Sequence, residues 1–329
     1  MYTLKASPED FVVEEQIKLE LDDSGQYAYF WLRKRGYATV KALESISGFL
    51  KCRLRDIGFA GNKDKQAITR QAISIKDPSN RVGKDRFERF STDDISLEYI
   101  GRGRKPISLG ELEGNRFEIV LRECDKEPEQ ITQFINYFDE QRFSQTNVEV
   151  GRAIVKGEFR KACDAIDADK VKEHISQSPT DFVGAMKTLP LKIRIMHVHA
   201  YQSGLWNSAV SEYLQCKYDV LKVPYSLGEL CFPKVPMPQM KVPIVGFGTE
   251  PDAGELAEII RNIMKKESIT ERDFVIKSMP ELSAEGGVRD MAAEVKELSI
   301  EKTGDREYLL RFFLPKGCYA TMAVKRMMA

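Results

Sequence analysis

Two lysines flank an aspartate, Asp64, in the polar segment GFAGNKDKQAITRQ, which covers residues 58–71. A carboxylate held rigidly at the mouth of a cleft can act as a nucleophile or as a general base. A carboxylate in a loop can also simply be solvated, because functional carboxylates are a minority. The residue types around Asp64 therefore allow covalent or acid–base chemistry, and they do not choose between these roles.

Two other residue groups contain side chains or glycines typical of chemical sites. His197 and His199 would place two imidazoles on one face of a predicted strand, but no cysteine or carboxylate spacing completes a metal site. Residues 101–105, GRGRK, lack the third glycine of a dinucleotide-binding loop and are predicted to form a basic hairpin turn. The sequence thus predicts neither a metal nor a nucleotide cofactor.

The composition indicates a folded chain in a reducing compartment. The 329 residues are 42% hydrophobic, and no stretch of eighteen or more apolar residues predicts a membrane span. The opening of the chain does not resemble an export signal. The cysteines are scattered, without a C-x-x-C pair, at Cys52, Cys124, Cys163, Cys216, Cys231 and Cys318. This pattern argues against a disulfide framework and favours the cytoplasm.

Basic residues are unevenly distributed, although the 50 Lys and Arg balance the 50 Asp and Glu. Residues 51–89 contain eleven basic residues and five acidic ones, and residues 311–329 contain no acid. Separated basic segments on a neutral chain indicate a bound polyanion, because neutralising phosphates releases counterions. The alternative from charge alone is an ordinary solvated surface of mixed charge.

A helix and a strand are predicted on either side of Asp64. Residues 39–50 begin with a possible Thr39 N-cap and place Val40, Leu43 and Ile46 on one helical face. The segment QAISIK, residues 71–76, is typical of a strand. Asp64 should therefore lie in a helix-to-strand loop, where a rigid scaffold often presents functional groups.

Strand patterns at both ends of the chain surround a different middle. A helix is predicted from about Pro128 to Phe138, and residues 318–327, CYATMAVKRM, are predicted as a strand paired with YLLRFFL. Residues 224–251 hold six of the fourteen prolines, which excludes a helix there. We expect one sheet domain interrupted by an insertion. The alternative is two successive domains.

Six segments, in this order, resemble the motifs of the TruD family of tRNA pseudouridine synthases. They are DFVVEE (10–15), GFAGNKDKQAITRQ (58–71), LGELEGNRFEIVLR (109–122), NYFDEQRF (136–143), HAYQSGLWN (199–207) and LPKGCYAT (314–321). The resemblance runs nearly from end to end. It implies an α+β fold, in which a pseudouridine-synthase-type mixed, mainly antiparallel sheet with helices is interrupted by a family-specific α/β insertion domain.

The resemblance also implies boundaries and an activity. Residues 1–146 and 286–329 would form the catalytic domain, with the insertion at 147–285. The activity would be the isomerisation of a uridine in tRNA, at position 13 in bacterial members, by a cofactor-independent enzyme that we expect to be a monomer. The alternative is a non-catalytic RNA-binding or tRNA-folding protein on the same scaffold.

By resemblance, the catalytic residue is Asp64, with Lys63 beside it and Lys5 nearby. The family's cleft aromatic residues match Phe11, Phe138 and Tyr319. The residues implied in substrate binding are Lys5, Phe11, Lys63, Asn136, Phe138, Arg289 and Tyr319.

Two positions depart from the family pattern. Asp139 replaces the usual glycine of N-Y-F-G, and Trp206 replaces a usual phenylalanine. Asp139 would bring a negative charge close to the rim of an RNA-binding cleft.

Overall fold

The computed structural model describes residues 1–77, 90, 92–143, 146–250 and 253–329. Part of the basic segment 51–89 therefore lies outside the described residues. The chain divides into two compact units. The first comprises Met1–Thr132, Glu294–Ala320 and Met328; the second comprises Gln133–Ala293, Thr321–Met327 and Ala329. The expected domain boundaries at 146 and 286 stay a prediction, since compactness alone does not define a folding domain.

The first unit is built on one nine-stranded sheet with the path β14-β15-β7-β2-β5-β3-β6, to which β1 adds beside β7 and β4 beside β5. Its neighbouring strands are antiparallel except for β2 and β5, which are parallel. This arrangement confirms the predicted α+β class. The strands are β1 (Thr3–Leu4), β2 (Phe11–Gln16), β3 (Tyr27–Arg35), β4 (Ile57–Phe59), β5 (Ile68–Lys76), β6 (Ile95–Gly103), β7 (Gly114–Arg122), β14 (Lys296–Gly304) and β15 (Glu307–Pro315).

One helix of this unit, α1 (Thr39–Leu50), confirms the predicted helix. Its apolar side buries Leu43 and Ile46 in a core cluster that also contains Phe30. At its end, Lys51 adopts a left-handed conformation with φ of 54°. The residue that caps its start is Ala38 rather than Thr39, whose side chain is used elsewhere.

The second unit is mainly helical. Its longest helix spans 27 residues, and three short strand pairs, β9 with β10, β11 with β12 and β8 with β13, accompany the helices. The helices are α2 (Asn147–Val155), α3 (Phe159–Asp164), α4 (Asp169–Gln177), α5 (Phe182–Lys187), α6 (Leu191–Lys217), α7 (Glu255–Lys266) and α8 (Ala320–Met327). The strands are β8 (Gln133–Ile135), β9 (Val220–Tyr225), β10 (Gly228–Pro233), β11 (Lys241–Ile244), β12 (Gly287–Asp290) and β13 (Ala292–Glu294).

The proline-rich segment contains strands and no helix within its described residues 224–250, as predicted. Across the described parts of the chain, no helix combines the length and the apolar character that crossing a membrane requires.

The predicted helix from Pro128 to Phe138 is wrong. This segment contains the short strand β8 instead. Tyr137 is buried together with Phe134, Ile135 and Phe138, so burial does not follow one helical face. The helical spacing of apolar residues arose because residues 134–138 are all buried, whichever way their side chains point.

The predicted strand at residues 318–327 is also wrong, because Ala320–Met327 form helix α8. Six of its eight residues are buried, so burial does not alternate as it would along a half-buried strand; they are Ala320, Met322, Ala323, Val324, Arg326 and Met327. The partner of β15 in its hairpin is β14. The predicted turn at residues 101–105 is partly wrong, since β6 continues through Gly103.

Candidate functional site

The loop that carries Asp64 connects β4 with β5 and is fixed through its main chain. The amide of Lys63 donates a hydrogen bond to Thr39 Oγ1 over 2.9 Å, and the side-chain amide of Gln71 donates to the carbonyl of Gly61 over 3.0 Å. Thr39 Oγ1 in turn donates to Gln71 Oε1 over 3.2 Å. The loop therefore follows the short strand β4, whereas the sequence had predicted that it follows helix α1 directly. Both α1 and β5 anchor it.

The carboxylate of Asp64 is partly accessible and is paired with a lysine. The side chain of Asp64 is 34% exposed, and its Oδ2 lies 3.3 Å from Lys5 Nζ. The same ammonium lies 4.1 Å from the centre of the Phe11 ring. Lys5 adopts a left-handed conformation with φ of 60°, which is uncommon for a residue other than glycine. Lys5 is thus held between a carboxylate and an aromatic face.

Lys63 points to a different carboxylate. Its ammonium lies 2.5 Å from Glu15 Oε2 and donates to Asn115 Oδ1 over 2.7 Å. Glu15 is buried, and its Oε1 accepts a hydrogen bond from the amide of Ala72. The cation beside Asp64 is therefore Lys5, whereas the expectation from the motif placed Lys63 closer. This buried pair connects the loop to β2, and breaking it would leave an uncompensated charge.

A second group of predicted residues lies in the second unit. Arg289 donates to the carbonyl of Asn136 over 2.8 Å and to its Oδ1 over 2.7 Å. The guanidinium of Arg289 lies 4.2 Å from the centre of the Phe138 ring, whose edge-to-face partner is Trp206 with ring centres 5.5 Å apart. Asn136, Phe138 and Arg289 thus form one connected cluster around Phe138.

Helix α6 holds the main chain of Phe138 in place. Asn207 Oδ1 accepts a hydrogen bond from the amide of Phe138, and Asn207 Nδ2 donates to its carbonyl, each over 2.9 Å. A second arginine, Arg142, lies 5.2 Å from the centre of the Phe138 ring and donates to Ser203 Oγ over 2.8 Å. The cluster therefore combines two guanidinium groups with a fixed aromatic ring.

Tyr319 lies immediately before α8 and is half-buried. It follows Gly317, whose φ of 81° favours glycine and turns the chain after β15. Its orientation toward Asp64 stays a prediction.

A family model described as tRNA pseudouridine synthase D (TruD) matches residues 2–178, 168–224 and 237–327. The chain belongs to the TruD family. The matched residues include both ends of the chain and its middle, as do the six motifs. It confirms the predicted family and the enzyme class, an RNA pseudouridine synthase.

Relatives named as TruD proteins match this chain nearly from end to end. The tRNA pseudouridine synthase D of Aquifex aeolicus is 28% identical, with 98% of this chain and 97% of the relative covered. A probable tRNA pseudouridine synthase D of Methanopyrus kandleri is 29% identical, with 95% and 88% covered. The crystal structure from Methanosarcina mazei described under the TruD name superposes with a TM-score of 0.73 at 26% identity, covering 99% of this chain and 93% of that one.

The two departures from the TruD motifs have structural roles. Asp139 is buried, and its Oδ1 accepts a hydrogen bond from the amide of Glu140 at the start of a short 3-10 turn. Burial raises the pKa of Asp139. Its carboxylate therefore lies inside the second unit and not on the surface. Trp206 packs against Phe138 and donates from Nε1 to the carbonyl of Val242 over 3.3 Å.

The two histidines do not form a metal pair. His197 and His199 lie on α6 and not on a strand, so a spacing of two residues turns them to different faces. Within the described ranges, no cluster of three or more His, Cys, Asp or Glu could hold a metal ion. His197 is buried, and its Nδ1 has no hydrogen-bond partner among the described residues.

His197 should make the stability of the second unit depend on pH. Burial lowers the pKa of His197 in the folded state, so the unfolded chain binds more protons as the pH falls. Its contribution to stability is present above its unfolded pKa and is lost as the pH falls through the folded pKa. We expect the melting temperature to fall between pH 7 and pH 5, and His197→Leu to reduce that fall. An equal fall in both proteins, measured by calorimetry, would contradict this assignment.

Sequence reasoning missed Glu15, Lys34, Asn207 and Arg142 as site residues. Three of them lie inside the quoted motifs, so position within a motif was an available signal. Lys34 lies outside the motifs, but it follows Phe30 and Leu32 on the same face of β3, and strand alternation alone predicts that it points to the core.

Proposed function

We propose that this chain isomerises a uridine of tRNA, at position 13, to pseudouridine with Asp64 as the catalytic group. The observation that carries the proposal is a partly accessible carboxylate, paired with Lys5 at 3.3 Å, on a loop anchored by α1 and β5. Membership of the TruD family supplies the reaction class, and the names of the relatives supply tRNA as the substrate.

The reaction needs one carboxylate and no redox partner. The bond from C1′ to N1 breaks, a bond from C1′ to C5 forms, C5 loses its proton and N1 gains one. Asp64 can attack C1′ and form an ester that C5 then displaces. It can alternatively remove the C2′ proton to give a glycal and later return that proton. Both routes balance, and both begin from an ionised Asp64.

Lys5 supports either route in the same way. Its ammonium stays beside the carboxylate and limits the directions in which Oδ2 can point. The Phe11 ring under Lys5 is only 1% exposed, so its surface is almost entirely enclosed. We propose that Phe11 acts by holding Lys5 and not by stacking on the uracil.

The Phe138 cluster is proposed to contact RNA. An enzyme that acts at C1′ must take the nucleotide out of its stack, and an extruded nucleotide is bound by hydrogen bonds and stacking. Arg142 and Arg289 bring guanidinium groups to one ring, a residue type that suits phosphate and base edges. We propose that Asn136 and Arg289 act as one hydrogen-bonded unit, in which Asn136 fixes the orientation of the Arg289 guanidinium.

The proposal also includes the compartment and the oligomeric state. All six cysteines are free thiols, which suits the cytoplasm. A monomer stays our prediction for the oligomeric state.

Conversion of an unmodified tRNA transcript by the purified chain tests the proposal. Mapping pseudouridine by chemical labelling and primer extension should give the stop that reports pseudouridine at position 13, and a transcript with cytidine at position 13 should give none. Binding of tRNA without conversion would favour the non-catalytic alternative. Conversion at another uridine would retain the reaction and correct the position.

Tyr319 is predicted to stack on the extruded base. Stacking on a base contributes about 1 to 3 kcal/mol, so Tyr319→Ala should slow conversion by more than about tenfold. Tyr319→Phe keeps the aromatic face and should stay near wild type in single-turnover assays. If Phe is as damaging as Ala, the hydroxyl is the important group. If both variants are silent, Tyr319 lies outside the active site.

A further inference from the structure

Lys34 is a buried lysine under the loop that carries Asp64. It lies near the end of β3, and its side chain is 0% exposed. Its ammonium donates to the main-chain carbonyl of Asp64 over 2.7 Å and lies 3.5 Å from the carbonyl of Lys63. The strand neighbours paired with it are Thr69 on β5 and Ile95 on β6, neither of which can ionise at neutral pH. The contacts of this ammonium are therefore with the Asp64 loop.

Among the described residues, no direct ion pair neutralises the charge of Lys34. In the part of the chain that the structure describes, no carboxylate oxygen lies within 4.0 Å of its ammonium. Burial lowers the pKa of Lys34 to about 8, while the charge of Asp64 opposes that shift and the charge of Lys63 adds to it. An unpaired buried cation normally costs stability. A fold that needed only packing at this position would be served better by an apolar side chain.

We propose that Lys34 is a positioning residue for the reaction of Asp64: its buried ammonium fixes the main-chain carbonyl of Asp64 and places positive charge beneath the catalytic loop. This inference rests on the proposed function of Asp64. It assigns the two cations different tasks, because Lys5 contacts the carboxylate while Lys34 contacts the main chain of the same residue. Asp64 is thus held at its carboxylate by Lys5 and at its main-chain carbonyl by Lys34.

Lys34→Met tests the role of the charge while keeping an unbranched side chain of similar length. Replacing a buried charge by a hydrophobic residue of similar volume is often neutral or stabilising, so we expect the melting temperature to be retained. We expect a loss of about tenfold in the single-turnover rate constant at pH 7, with tRNA affinity unchanged. Lys34→Gln, which keeps a hydrogen-bond donor without the charge, provides a second variant if the first does not fold.

The pH profile distinguishes positioning by charge from simple support of the fold. The wild-type rate should decline as the pH rises through about 8, because Lys34 then loses its proton. That decline should be absent in Lys34→Met and Lys34→Gln. Arg33→Met is the matched control, because Arg33 is the exposed neighbour on the same strand and its replacement removes the same charge. This control should keep the alkaline decline.

Two results would overturn the proposal. One is a rate for Lys34→Met within about twofold of wild type at pH 7. The other is an alkaline decline that persists in both uncharged variants. Asp64→Asn measured in the same assay separates the two proposals. If Asp64→Asn is inactive and Lys34→Met is normal, only the positioning role fails, whereas an active Asp64→Asn removes the catalytic assignment itself.

Discussion

Asp64→Asn should lower the rate constant of pseudouridine formation by at least about 10³-fold, which lies within the range of about 10²- to 10⁴-fold for acid–base catalysis. The amide is nearly the same size as the carboxylate, so the loop, which is held through Thr39, Gln71 and Lys34, should keep its conformation. Binding of tRNA should therefore stay close to wild type. Single-turnover conversion and tRNA binding, measured in parallel, check both parts.

A surface aspartate of similar surroundings provides the control. Asp94 is 36% exposed and lies 3.4 Å from Arg35, so it resembles the Asp64–Lys5 pair in exposure and distance. Asp94→Asn should convert tRNA at the wild-type rate. Turnover by Asp64→Asn within about tenfold of wild type would correspond to only about 1.4 kcal/mol and would exclude Asp64 as the catalytic group.

Lys5→Met should lower the same rate constant by about 10²-fold, equivalent to about 2.7 kcal/mol. The substitution removes the ammonium that lies 3.3 Å from Asp64 Oδ2 but leaves a side chain that can still pack on Phe11. Because Lys5 acts through Asp64, the loss should appear in the rate of the chemical step and not in tRNA affinity.

Lys18→Met is the matched control for this prediction. Lys18 is 88% exposed and pairs with Glu113 at 2.8 Å, and exposed ion pairs contribute little. Its replacement should leave the rate unchanged. In the background of Asp64→Asn, Lys5→Met should cause no further loss, because residues that act as a unit are not additive. A full additional loss in that background would show that Lys5 acts independently of Asp64.

The sequence was most informative where local signals agreed. The helix at residues 39–50 and the strand that contains residues 71–76 were predicted from periodicity, and both are present. Together they placed Asp64 in a loop between regular elements. The motifs then identified the family, which the matched model confirms. Short-range patterns and ordered motifs are properties of the chain itself and need no tertiary information.

The two wrong secondary-structure predictions concern segments whose residues are buried on nearly all sides. In residues 134–138 the enclosed chain buries neighbouring side chains, so the apolar spacing imitated a helix. In Ala320–Met327 six of the eight residues are buried, so the apolar pattern had no single face that could distinguish a helix from a strand. Periodicity reports the face that is buried and fails when burial has no single face.

The sequence by itself determined the family, the reaction class and the residue proposed to carry the chemistry. The tertiary structure alone decided which cation serves Asp64. Lys63 is adjacent in the chain but turns to the buried Glu15, whereas Lys5, distant in sequence, reaches the carboxylate, and Lys34 reaches its main chain from β3. The physical reason is that Lys63 and Asp64 lie in a loop between β4 and β5, where adjacency in the chain does not fix the partners of a side chain, and those partners come from other segments of the sheet unit.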